Sequence, residues 1–87
     1  MQKSGDEMHK KVLIENIKKI HTTEMGVGRI EKNLGIADEP VGYCISKLEN
    51  ENSTVTKEGK NYYVDAGDCI ITINSSSFTI ITAHKKK

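Results

Sequence analysis

Downstream of Ser53 the apolar residues stop recurring every three or four positions and begin to alternate with polar ones. A side-chain period of two fits strands, whereas the earlier period fits amphipathic helices. The switch divides the 87-residue chain into a helical part and a strand part, with no internal repeat and no low-complexity linker between them. One small domain over residues 1–87 is expected, with flexible ends at 1–5 and 85–87.

The first helix is predicted from about Asp6 to Ile20, capped by Ser4 or Asp6. Met8, Val12, Leu13, Ile17 and Ile20 recur along one face and Lys10, Lys11, Glu15, Lys18 and Lys19 occupy the other. Thr22 or Thr23 is suited to cap a second helix marked by Met25, Ile30 and Leu34, which Gly35 ends. Within it Gly26 and Gly28 lower helix propensity and permit close approach of another backbone or a ligand. A third helix starts at Asp38-Glu39-Pro40, with Asp38 as cap and proline in the first turn. It carries Val41, Cys44, Ile45 and Leu48 inward and closes at Asn50-Glu51-Asn52.

Two strands, Thr54–Lys57 and Asn61–Val64, flank Glu58-Gly59. Ala66-Gly67 then turns the chain into Cys69–Asn74, and Ser75-Ser76 leads into Phe78–His84. The predicted class is α+β: three N-terminal helices, then a four-stranded antiparallel meander with the helices packed on one sheet face. A symmetric last turn places Ile73 opposite Phe78, Ile71 opposite Ile80 and Cys69 opposite Thr82. Thr82 and His84 then continue the core face to its rim, and Ile70 and Ile81 fall on the other face as a candidate interface.

Composition narrows the function classes. With no tryptophan and one phenylalanine, the core rests on isoleucine, leucine and valine, with Met8, Met25 and the tyrosines filling gaps. A formal net charge of +1 argues against coating nucleic acid by charge alone, although Lys85-Lys86-Lys87 form a local basic cluster. Cys44 and Cys69 lack metal-ligand spacing and read as two small buried hydrophobes in a reducing cytoplasm. Neither a secretory signal nor an apolar run of membrane-spanning length is visible, so a cytoplasmic protein without a membrane segment is expected. No phosphate-binding glycine loop, zinc pattern or nucleophile elbow is present, and neither cofactor nor metal is expected.

The residues able to carry chemistry are few. His84 ends the last strand, and an imidazole exchanges protons near neutral pH; the plain alternative is a surface histidine before a lysine tail. His21 follows the first helix, where an imidazolium also suits helix-end carbonyls. His9 lies in a polar stretch and reads as solvated. Arg29 and Lys32 lie about one helical turn apart and can grip one anion, or simply form a solvated face. Lys60 sits in a hairpin turn. Tyr62 and Tyr63 point to opposite faces, too few aromatics for a base-stacking platform.

Two stretches, IHTTEMGVGRIEKNLGI (Ile20–Ile36) and GKNYYVDAGDCIITINSSSFTIITAHK (Gly59–Lys85), resemble a family of small bacterial proteins, domain of unknown function 3781. The resemblance spans nearly the whole chain and brings no activity with it. A second resemblance, limited to topology and the Ile81-Thr82-Ala83-His84-Lys85 finish, is to toxin ribonucleases of the barnase, colicin and RelE-like group. It implies metal-independent RNA cleavage in which His84 and His21 exchange protons, Arg29, Lys32 and Lys60 hold the phosphate and Thr82 bonds an oxygen. Ranked slightly ahead of RNA cleavage as a starting expectation is a protein-binding or inhibitory module, for example a phage-encoded inhibitor of a host defence nuclease, or a homodimer, with Ile70 and Ile81 as part of the contact. The histidine-ended strand is the feature that favours cleavage.

Overall fold

The structure, a computed structural model, describes residues 4–35 and 39–86. It has the expected α+β architecture. Helices α1 (Ser4–Glu15), α2 (Glu24–Leu34) and α3 (Pro40–Glu49) precede strands β1 (Thr54–Glu58), β2 (Asn61–Asp65), β3 (Cys69–Asn74) and β4 (Ile80–Lys85). The strands form one antiparallel sheet in the order β1-β2-β3-β4. Asp38, expected to cap α3, lies outside the described residues; Glu39 is the cap, its carboxylate accepting from the Val41 and Gly42 amides.

The first helix ends earlier than its apolar spacing predicts. Asn16 places its side-chain amide on the Val12 carbonyl at 2.8 Å, while its backbone amide is split between the Val12 and Leu13 carbonyls at 3.1 and 3.2 Å, the tightening that starts a 3₁₀ turn. A 3₁₀ turn, Ile17–Lys19, follows, and Ile20 is extended and buried. This early break frees residues 20–23 to run beside β4. Thr23 then caps α2 by accepting from the Gly26 amide at 3.0 Å, and Gly35 ends the helix at φ 65°, a left-handed conformation that favours glycine.

One core joins the helices to one sheet face. Leu13, Ile20, Ile30, Leu34, Cys44 and Leu48 meet Val55, Tyr62, Val64, Cys69, Ile71, Ile73, Ile80 and Ala83. Helix α1 packs on β1, and α2 on β4. Met8 and Met25, expected inside, are exposed. His9, expected to be solvated, is half-buried with its ring 5.7 Å from that of Tyr62.

The closing hairpin departs from the symmetric register. Phe78 does not face Ile73; at φ 58° it belongs to the turn. The Asn74 side-chain oxygen accepts from the Ser76 and Ser77 amides, and the Phe78 amide donates to the Asn74 carbonyl at 2.9 Å. Ile73 therefore pairs with Ile80, and an irregularity then shifts the register so that Thr72 pairs with Thr82, Ile71 with Ala83 and Ile70 with His84. The extra residue, Ile81, inverts the alternation beyond it. Ala83 enters the core, while Thr82 and His84 leave it for the opposite face.

Gly26 lies where α2 meets the β4 edge. A Cβ there would collide with the Thr22 hydroxyl and come within 3.4 Å of the Ile80 carbonyl, whereas one on Gly28 would meet nothing within 4 Å. Gly26→Ala is expected to lower unfolding free energy by about 1–3 kcal/mol. Gly28→Ala, in the same helix, is expected to raise it by about 0.5–1 kcal/mol. Urea denaturation of both variants checks the contrast, and equal effects would contradict this packing.

Candidate functional site

The polar groups of greatest interest gather where residues 20–23 meet the start of β4. The His21 amide donates to the Phe78 carbonyl at 3.2 Å, and the Ile80 amide donates to the His21 carbonyl at 2.7 Å. These bonds make a short parallel bridge between His21 and Thr79. The Thr22 hydroxyl donates to the Ile80 carbonyl at 2.8 Å. Backbone groups at the exposed end of β4 are thereby satisfied by a two-residue strap.

Both ring nitrogens of His21 are engaged. Nδ1 lies 2.8 Å from the Lys19 carbonyl oxygen, which can only accept, so Nδ1 carries a proton. In the neutral ring Nε2 is then an acceptor and takes the Thr79 hydroxyl proton across 3.1 Å. The Ser77 hydroxyl lies 2.7 Å from that of Thr79 and 3.2 Å from the Asn74 side-chain oxygen, and its single proton is shared between these two acceptors. The network orients His21 and braces the turn that holds Phe78 at positive φ. Lys19 adds an ammonium 6.0 Å from the Phe78 ring centre.

Next to this strap, Thr23, Met25, Gly26, Arg29, Thr79, Ile80 and Ile81 line a groove of about 220 Å³. Arg29 lines it from α2 and Thr79 from the strand side. Lys32 is exposed on α2, and Lys60 is exposed in the β1–β2 turn, where its carbonyl accepts from the Ser75 amide at 2.8 Å.

Thr82 and His84 do not join this group. The half-buried Thr82 accepts from the Asn33 side chain at 3.4 Å, and the exposed His84 sits opposite Ile70. The expectation that both extend the core face was wrong because the Ile81 bulge reverses the alternation. For the same reason Ile70 and Ile81 do not share a surface: Ile70 lies on the helix-free face, and Ile81 lines the groove.

Sequence reasoning missed Thr79 and Ser77, which read there as strand and turn residues. It also missed Lys10, whose ammonium donates to the Asn50 and Ser53 carbonyls at 2.7 and 2.9 Å and ties α1 to the end of α3. Near the far end of β3, Lys47 pairs with Asp68 at 2.9 Å and Lys86 with Asp65 at 3.0 Å. The Lys47 hydrogen bond holds the Asp68 carboxyl below its ordinary range, and the Gly67 amide, aided by Lys86, does so for Asp65. Both cysteines are buried and free. Burial pushes the Cys44 thiol up to about 12 and raises that of Cys69, so both remain protonated hydrophobes. No group of three metal-ligating side chains occurs among the described residues.

Together these features define a small α+β protein with one helix-covered sheet face, one open face and a largely apolar groove with a few polar groups at the edge of its last strand. The chain belongs to the family described as Protein of unknown function (DUF3781), whose model matches residues 14–84, nearly its whole length. No curated protein and no solved structure matches the chain. Among the described residues, no helix is long and apolar enough to cross a membrane.

The hydrogen-bond directions around His21 have a direct readout. Nitrogen NMR of the neutral ring is expected to show the Nδ1-protonated tautomer for His21. The less common tautomer then depends on the Lys19 carbonyl and Thr79. A predominantly Nε2-protonated ring would contradict the network.

Proposed function

We propose that this chain is a protein-binding module, and that the helix-free face of its sheet pairs with a second copy of itself. The observation that carries the reading is a cross-strand row on that face: Thr54 on β1, Asp65 on β2, Ile70 on β3 and His84 on β4. A second row places Thr56, Tyr63, Thr72 and Thr82 side by side. Both rows stand on the face opposite the core cluster, with Thr72 buried between its neighbours and Thr82 at the edge that Asn33 of α2 reaches.

The first row is complementary to itself. Ile70 is flanked at one strand spacing by a carboxylate and by an imidazole. A two-fold axis between two stacked sheets, parallel to β3 and passing by Ile70, brings Ile70 against its copy. The same rotation sets Asp65, together with the Lys86 ammonium that pairs with it at 3.0 Å, opposite the other copy's His84, and Tyr63 opposite its Thr82. Interfaces of this isologous kind are the usual route to homodimers, and aligned sheet stacking tolerates the sheets' own twist. The remaining exposed residues of these rows, Thr54 and Thr56, carry β-branched methyl and hydroxyl groups that suit a half-polar contact.

The same geometry supports binding over RNA cleavage. A metal-independent nuclease needs its acid and base on either side of one phosphate. His84 is on the open face, while His21 is held by Lys19 and Thr79 at the β4 edge beside the groove that Arg29 lines.

Sedimentation equilibrium across a concentration series tests the reading. The chain is expected to form a dimer, and Ile70→Asp is expected to weaken dimerisation at least about a hundredfold, since burying an unpaired carboxylate costs several kcal/mol. Its far-UV circular dichroism should be unchanged. A strictly monomeric parent protein, or a folded Ile70→Asp variant that dimerises equally well, would overturn the proposal.

A further inference from the structure

We propose that the groove between α2 and the β4 edge receives the C-terminal carboxylate of a peptide whose last residue is aliphatic. This site is on a different surface from the open sheet face and does not depend on dimerisation.

Three observations converge on it. First, the described ion pairs are Lys47–Asp68 and Lys86–Asp65, so Arg29 has no carboxylate partner among the described residues although it lines the groove. A guanidinium presents a planar fork of donors that matches a carboxylate. Second, Thr23 accepts from the Gly26 amide with its hydroxyl oxygen. Its own proton is not used by that bond and is available to a ligand oxygen. Thr79 is different: its proton is committed to His21, which leaves Thr23 and Arg29 as the donor pair. Third, the described residues include four exposed large hydrophobic side chains, and two of them, Met25 and Ile81, line this groove. They are 70% and 36% exposed, and the core residue Ile80 also lines the groove.

An apolar wall with a few placed polar donors is the usual composition of a ligand site. The size selects the ligand further. At about 220 Å³ the groove has room for one aliphatic side chain and its carboxylate, not for a folded surface. Capture of a chain terminus by a cation and hydroxyl donors is an established mode of peptide recognition. The apolar lining disfavours inorganic phosphate, which offers nothing to Met25 or Ile81.

The test is a titration of the nitrogen-15-labelled full chain followed by two-dimensional NMR. The probes are an acetylated tripeptide ending in leucine, its C-terminal amide, 4-methylvalerate and inorganic phosphate. The leucine peptide is expected to give saturable shifts at the Gly26, Thr79 and Ile81 amides and at the Arg29 side-chain N–H. The amide should bind at least about tenfold more weakly, as should the acid peptide to Arg29→Gln, because each loses a charge-assisted hydrogen bond. The Arg29→Gln spectrum should retain the dispersion of the parent. Equal binding of acid and amide, or unimpaired binding by folded Arg29→Gln, would overturn the site. So would phosphate producing the same shifts as strongly, 4-methylvalerate binding more tightly than the peptide, or no saturable shift with the peptide.

Discussion

The strap that residues 20–23 lay along the start of β4 organises both halves of the molecule. It is a small contact, made by the His21 and Ile80 amides and the Thr22 hydroxyl, yet it joins segments 58 residues apart in sequence. Without it, the first backbone groups of β4 would be left unpaired at a sheet edge, which costs free energy wherever water is excluded. With it, Ile20 is drawn into the core and Thr23 is placed to start α2 directly over β4. The absence of a side chain at Gly26 lets the helix backbone come close enough for that packing.

A second local feature decides what β4 presents. The bulge at Ile81 lets the strand serve the core at Ile80 and again at Ala83, a spacing of three that a regular strand does not allow. The consequence is a strand with distinct polar outlets. Thr82 and His84 go to the open face, and Ile81 goes to the groove beside α2. The turn that precedes the bulge holds Phe78 at positive φ, an uncommon conformation for a bulky residue. Its amide, its carbonyl and the neighbouring Asn74 cage keep it there.

Much of the fold was legible because local chemistry and period agreed. Thr23 as a cap, Gly35 as a helix stop, Pro40 in a first turn and the alternation of Asn61–Asp65 all match their roles. The site was less legible, for a definable reason. Placing Thr82 and His84 required the exact residue count through the last turn, and a one-residue bulge flips every side chain beyond it. His21 stood out as a histidine after a helix, but its bonds to Lys19 and Thr79 depend on where Asn16 ends that helix. Thr79 carries no sequence signal of its own, since its importance comes only from the partner across the strap.

If the strap is the keystone of the fold, its hydrogen bonds should open only when the whole domain unfolds. Native-state hydrogen exchange measures this at single amides. The Ile80 and His21 amides are expected to exchange with the same opening free energy as the amides of β3, and with the same dependence on denaturant. Exchange of Ile80 and His21 through a low-energy, denaturant-independent opening, while β3 stays protected, would contradict the account.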